Sequence, residues 1–243
     1  MSLRIGFDMD GVLADFDSAF RAVAERLYGA PTPPTGDADP EAEPRAQAEE
    51  EEKNASGDEG QAGAEEAKQH VHALRRRRDA VWQTIASTPD FWMTLRPVQD
   101  DAVRRIHELA LRHRWEVFFL TQRPATEGDS VQRQTQQWLI AQGFDLPSVL
   151  PIAGSRGAAA GALRLDYHVD DSARNCIDIK AESSAKPLLI VESGDTAMIA
   201  RARSLGIGTA ASISECLTIL EEATLKQAQP RLLHKLAQLV GWD

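Results

Sequence analysis

Leu3-Arg4-Ile5-Gly6-Phe7-Asp8-Met9-Asp10-Gly11-Val12-Leu13-Ala14-Asp15-Phe16 is the stretch on which the fold turns. Residues 3–8 alternate and end in acids and a glycine, the pattern of a strand running into a loop. Beyond the loop the period changes: Phe16, Phe20, Val23, Ala24 and Leu27 fall on one stripe of a helix over 16–28. Asp8 and Asp10, two residues apart at the end of a buried strand, repel each other strongly unless a cation sits between them. A hard, oxygen-seeking ion such as Mg2+ relieves that repulsion and keeps several of its waters. Gly11 lets the backbone turn sharply and approach a ligand. Taken alone, the same text also suits an Asp-Gly turn with solvated acids.

Working outward, apolar strands alternate with amphipathic helices. Val71, Leu74, Val81, Trp82 and Ile85 predict a helix ending before Pro89, and 98–112 predicts another, followed by a strand over 115–120. Helices are expected at 132–142, where Gly143 closes the end, around 157–163, and at 196–205. Strands are expected near 149–152, at 167–169 and at 188–191, and two amphipathic helices finish the chain. Such alternation specifies an α/β fold, a Rossmann-like parallel sheet with helices on both faces. Functional groups in such sheets gather at the carboxyl ends of the strands.

Two further constellations fall at those ends. In Phe118-Phe119-Leu120-Thr121-Gln122-Arg123-Pro124 a hydroxyl follows an apolar strand, beside backbone amides and an arginine, which suits a phosphate oxygen. Read alone, it is equally a strand end followed by a turn. In Asp166-Tyr167-His168-Val169-Asp170-Asp171-Ser172-Ala173-Arg174-Asn175 adjacent acids could complete the oxygen shell of a cation. Asp171 or Ser172 could instead cap the next helix.

The three signals, in this order and each at a predicted strand end, resemble the haloacid dehalogenase superfamily of phosphohydrolases. Within it the chain is most similar to the 5'(3')-deoxyribonucleotidase group and its bacterial relatives. The matching text is 8–16, Phe91-Trp92 through Leu95 to Pro97, 115–124, 134–139 and 166–175. The resemblance covers 3–28 and about 80–210. It implies a core of 1–16 with 93–243, and a small helical cap over 17–92 inserted after the first strand.

The resemblance also implies roles. Asp8 is the nucleophile that forms an aspartyl-phosphate, and Asp10 protonates the leaving oxygen and then activates water. Thr121 binds the transferring phosphoryl group, with Gln122 and Arg123 beside it on the substrate. Asp8, the backbone carbonyl of Asp10, Asp170 and Asp171 form the Mg2+ site; which of the last two binds directly is left open. Phe16 either stacks on a nucleobase or packs in the core. The family's third motif supplies a lysine, yet no lysine lies between Lys68 and Lys180. Arg156 is the best stand-in, with Arg164 and Lys180 poorer ones; it keeps the charge but not the compact geometry.

The implied activity is Mg2+-dependent hydrolysis of a phosphomonoester, with a (deoxy)nucleoside monophosphate as substrate, as in 5'-nucleotidases. Two alternatives stay open: a phosphatase for a sugar phosphate or other small metabolite, and a degenerate fold kept for binding or regulation. Arg75–Arg78 make either a positive rim or a solvated helix face. Trp82, Phe91 and Trp92 contact a base or belong to the core.

Charge sets the remaining bounds. The chain of 243 residues carries a formal net charge of −10, which argues against a nucleic-acid polymer as partner. Twelve acids but only Arg45 and Lys53 fall between Asp37 and Glu66, so the remainder holds 25 charges of each sign. The acidic pI therefore does not count against an anionic substrate. Residues 31–67 contain no aromatic and no Val, Ile, Leu or Met, and are expected to be a disordered acidic insert within the cap, with helical tendency near 41–53 and 61–70. Cys176 and Cys216 form no metal spacing, no long apolar run suggests a leader or a membrane segment, and a cytoplasmic location is expected. Leu232, Leu233, Leu236, Leu239 and Val240 either cover the sheet or form a homodimer surface.

Overall fold

The computed structural model describes residues 2–29 and 61–240; for 61–71 and 228–240 it describes only the helical backbone. The residues fall into two units, 1–15 with 92–124 and 129–243, and 16–91 with 125–128.

The first unit is built on six parallel strands: β1 (Arg4–Asp8), β2 (Glu116–Thr121), β3 (Ser148–Pro151), β4 (Tyr167–Asp170), β5 (Lys186–Ile190) and β6 (Gly208–Ala210). Their spatial order is β3-β2-β1-β4-β5-β6, and every pairing is parallel. This is a doubly wound order. Connections run outward one way from β1 to β3 and the other way from β4 to β6, so right-handed crossovers place the helices on opposite faces. The order reverses between β1 and β4, the switch point beyond whose carboxyl ends open α/β sheets place their sites. Burial on both sides accounts for strands as apolar as Ile5, Phe7, Phe119, Leu120, Val169 and Leu189, all fully buried or nearly so.

Helix α1 (Phe16–Tyr28) and α2 (Gln61–Ala86) make up the second unit. Its aromatic residues pack on one another: Phe16 stacks on Trp82 with centroids 5.4 Å apart, and Phe20 meets both rings edge-on. Val81 and Ile85 are buried with them, whereas Leu27, on the edge of the predicted stripe, is exposed. Asp90 closes the unit in a left-handed conformation (φ 52°), its N–H donating to Glu127 O at 2.8 Å. Helix α2 takes in 61–67, the last part of the acidic stretch; the insert over 30–60 lies outside the described residues.

In the sheet unit the remaining helices are α3 (Ala102–His113), α4 (Val131–Ala141), α5 (Arg156–Ala162), α6 (Ala173–Glu182), α7 (Thr196–Ser204) and α8 (Ile213–Val240). Three details differ from the sequence expectation. Helix α3 begins at Ala102 rather than 98, because Val98 N–H is used by Leu13 O (2.8 Å) and Asp101 is left-handed at φ 63°. The chain ends in one continuous helix, not two, and β6 was not anticipated. The side chains of the C-terminal apolar stripe, offered above as a dimer surface, lie outside the described residues. No helix among the described residues is long and apolar enough to cross a membrane.

Candidate active site

The loop after β1 is held by its own backbone. Gly11 N–H donates to Ala14 O (3.0 Å), and Leu13 and Ala14 N–H both donate to Met9 O (2.9 and 2.8 Å). Ala14 then bridges Pro97, and Asp15 N–H reaches Arg96 O at 2.8 Å. Gly11 sits at φ 78°, and a Cβ there would lie 1.8 Å from Asp171 Oδ2. A side chain is excluded twice over, by conformation and by space. The same contact shows that Asp171, sent from the end of β4, lies against the β1 loop.

Asp8 ends β1 and is buried. Arg156 Nη2 donates to its Oδ1. The arginine stands on the first turn of α5, where Ser155 Oγ caps the helix by accepting from Gly157 N and Ala158 N (3.0 and 3.2 Å). A Cβ at Gly157 would come within 2.2 Å of Asp178 O, so the small residues of α5 let α6 approach closely. Burial pushes the Asp8 carboxyl well above the usual carboxylate range; Arg156 opposes this, while Asp170, Asp171 and Asp10 add to it.

Asp10 is half-buried and held by a different arginine. Arg123 Nε donates to Asp10 Oδ2 at 2.9 Å and Nη2 to Oδ1 at 2.7 Å, a bidentate pair. Arg123 Nη1 reaches Thr135 Oγ1 at 3.0 Å, and the guanidinium lies 4.8 Å from the centre of the Trp92 ring. Gln122, its neighbour, is exposed.

At the end of β4, Asp170 has no exposed surface. Its Oδ1 accepts from Ser172 N (2.9 Å) and Asn175 Nδ2 (3.1 Å), and its Oδ2 lies 3.1 Å from His168 Nε2. His168 is equally buried and stands opposite Gly6 in the β1–β4 register. A Cβ at Gly6 would meet His168 Nδ1 at 2.4 Å, so the glycine makes room for the ring. Thr121 ends β2, fully buried.

Four buried polar atoms among the described residues have no hydrogen-bond partner: Thr121 Oγ1, Arg156 Nε, Arg156 Nη1 and His168 Nδ1. Orphaned buried groups each cost about 1–3 kcal/mol, and native folds seldom leave them without cause. Three of the four belong to Thr121, at the end of β2, and Arg156, at the start of α5, both residues that the sequence resemblance singles out.

The structure thus brings Asp8, Asp10, Thr121, Arg123, Arg156, Asp170 and Asp171 into one unit, at the carboxyl ends of β1, β2 and β4 and the start of α5. Phe16 belongs to the helical unit, stacked on Trp82. His168, Thr135 and Asn175 carry contacts for which the sequence reading gave them no role. A signal existed for His168: two residues before Asp170 on a strand, it shares that residue's face. Lys180 lies near Gly206, whose added Cβ would be 3.3 Å from its Nζ.

For a metal, the test is one of charge and donor type. Three more carboxylates act on Asp8, all hard oxygen donors, and Arg156 is the opposing cation; a divalent ion fits that excess of negative charge. The side chains of the described residues do not form a ready-made group of three His, Cys, Asp or Glu ligands, so the fit is one of charge and donor chemistry.

No family model matches the chain, and neither does any curated protein. Among solved structures the chain is similar to a hydrolase from Pseudomonas syringae, at 12% identity over 91% of this chain and 99% of that one, with a TM-score of 0.48. It is also similar to a HAD hydrolase of family IA, variant 3, from Entamoeba histolytica, at 14% identity over 88% and 94% of the two chains, with a TM-score of 0.44. An L-2-haloacid dehalogenase aligns at 15% identity over 90% of this chain and all of the other, with a TM-score of 0.42.

Proposed function

We propose that this protein is a phosphomonoesterase of the haloacid dehalogenase type, acting through an aspartyl-phosphate on Asp8. The observation that carries the reading is the set of orphaned donors, Thr121 Oγ1 with Arg156 Nε and Nη1, around a carboxylate at the switch point of the sheet.

Arg156 and Thr121 receive the phosphoryl oxygens. With Oδ1 of Asp8 held by Arg156, attack falls to Oδ2: a new Oδ2–P bond forms as the bond from phosphorus to the ester oxygen breaks. Asp10, protonated for this step, gives its proton to the departing oxygen, so an alcohol leaves. Water then attacks the phosphorus of the acyl phosphate while Asp10 takes its proton. Phosphate leaves, Asp8 is again a carboxylate and Asp10 is again protonated. Asp8, the Asp10 carbonyl, Asp170 and Asp171 are the groups that would hold Mg2+. When bound, that ion lets an anionic phosphate approach a carboxylate and stabilises charge in the transition state.

The substrate class proposed is a nucleoside monophosphate. Its support is the resemblance of the quoted motifs to the 5'(3')-deoxyribonucleotidase group. The test is phosphate release from a panel of nucleoside and sugar monophosphates with Mg2+. Release from nucleotides in preference to sugar phosphates supports the reading, and release from none of them ends it.

A further inference from the structure

The pair between Arg123 and Asp10 has no part in the scheme above. Asp10 projects from the loop after β1, where the backbone is fixed but the rotamer of a partly exposed aspartate depends on what its carboxyl touches. To give a proton to a departing oxygen and later take one from water, its carboxyl must hold one position through both steps. Misplacement by about 1 Å can cost about 10²-fold in rate.

Arg123 supplies that constraint from the far side. Its side chain is fully buried, and each of its three nitrogens is engaged, Nε and Nη2 on Asp10 and Nη1 on Thr135. The guanidinium is itself clamped. Trp92 lies across its face at 4.8 Å, and the Trp92 indole N–H is tied to Pro124 O at 3.0 Å. Trp92 N–H in turn donates to Gln134 Oε1 (3.1 Å), and Gln134 Nε2 donates to Asp129 O (2.6 Å). The loop after β2, the turn at Phe91–Met93 and the start of α4 therefore converge on one planar group, whose fork meets one carboxylate. A substrate-binding arginine would aim its donors outward; this one spends two nitrogens on Asp10.

We propose that Arg123 is a positioning residue: it fixes the carboxyl of Asp10, and through it proton delivery to the leaving group. The inference rests on the reading of Asp10 as the proton-handling acid. It adds a specific consequence, that losing Arg123 penalises esters in proportion to how badly their leaving group needs a proton.

The experiment compares phenyl phosphate with p-nitrophenyl phosphate, whose leaving group departs as an anion, at saturating Mg2+. The proteins are the wild type, Arg123→Met, Arg123→Lys and Asp10→Asn, each checked for folding by circular dichroism. In Arg123→Met the ratio of kcat/KM for phenyl to that for p-nitrophenyl phosphate, which reports the phosphorylation step and not the shared hydrolysis of the aspartyl-phosphate, should fall by about tenfold or more, in the same direction as in Asp10→Asn. Arg123→Lys, with charge but no fork, should lie between. Equal losses on both esters in a folded variant would overturn the proposal, because a packing or phosphate-binding role lowers both alike.

A crystal structure of Arg123→Met, without substrate, gives a readout that needs no turnover. The Asp10 carboxylate should leave its present rotamer or lose its density, and an Asp10 still in place overturns the proposal. Should the wild type hydrolyse neither ester, the catalytic reading fails while this structure still decides the positioning role. If Arg123→Met does not fold, Arg123→Lys carries both comparisons; if neither folds, the pair is a structural ion pair and the proposal is wrong.

Discussion

Arg156 and Asp8 stand 148 residues apart in sequence and share a buried hydrogen bond, from Nη2 at the first turn of α5 to Oδ1 at the end of β1. The contact puts a permanent cation beside the carboxylate that the proposed chemistry uses. It leaves two more nitrogens of the same side chain buried without a hydrogen-bond partner, which the proposed chemistry assigns to the phosphoryl oxygens.

Replacing Arg156 separates its two tasks. Arg156→Lys keeps the charge and should keep measurable phosphate release, whereas Arg156→Ala should lose about 10²-fold or more in kcat/KM. The pH profile adds a signed test. Asp8 must be ionised to attack, and burial already holds its carboxyl above the ordinary range with Arg156 as the opposing influence. Taking the cation away raises it further, so the acid limb of kcat/KM should move to higher pH in Arg156→Ala. A limb that stays put or moves to lower pH would contradict this assignment.

The raised Asp8 carboxyl also predicts how stability varies without metal. Its protonated form is favoured in the fold, so its contribution is fully present below the ordinary carboxylate range and is lost as pH rises through the folded-state value. In EDTA, the unfolding free energy of wild type minus that of Asp8→Asn should therefore decline as pH rises from the ordinary carboxylate range toward neutrality and above. Added Mg2+ should raise the wild-type Tm at neutrality and above. In Asp171→Asn the rise should be much smaller.

Thr121→Val exchanges an orphaned hydroxyl for a methyl of the same shape. The substitution should leave the fold as stable or up to about 1–2 kcal/mol more stable in chemical denaturation. Phosphate release should fall by about 10–100-fold. A loss of stability together with full activity would mean that the hydroxyl serves the fold and not a ligand.

Gly11→Ala tests the close approach of the two loops. A Cβ 1.8 Å from Asp171 Oδ2, at φ 78°, must push Asp171 away and strain the backbone. The expected cost is about 1–3 kcal/mol of stability, with weaker activation by Mg2+. Normal Mg2+ activation would show that Asp171 can move without consequence.

How far these arrangements could be read beforehand follows from their physics. Strand ends and acids are local signals, so Asp8, Thr121 and Asp170 could be placed at the carboxyl edge of the sheet from periodicity alone. Arg156 was reached by position, as the cation nearest the expected place, but its bond to Asp8 depends on how α5 packs on α6. The partner of Asp10 could not be read at all: a Gln122-Arg123 pair after a strand looks the same whether the arginine faces outward or inward. His168 carries no local signal of its burial, because the room made for it lies across the sheet, at Gly6. Strand β6, three residues of Gly-Thr-Ala, offers no apolar alternation, and it pairs because β5 presents an edge. Pro230 signals a break by its missing N–H, yet α8 runs through it.

The two thiols bound what oxidation can do. Cys176 and Cys216 are both fully buried, and burial pushes the Cys216 thiol up to about 12 and that of Cys176 higher still, with Asp170 and Asp171 adding to the latter. Neither should react with a thiol reagent in the native state at neutral pH, and both should react after denaturation.

The central claim is that Asp8 carries the phosphoryl group. It is tested most directly by incubating the protein with Mg2+ and a phosphorus-labelled monophosphate, quenching in acid, and mapping the label by peptide mass spectrometry. The account predicts an acid-stable, hydroxylamine-labile phosphate on the peptide containing Asp8, absent from Asp8→Asn. Turnover with no label on that peptide, or equal labelling in Asp8→Asn, would contradict it.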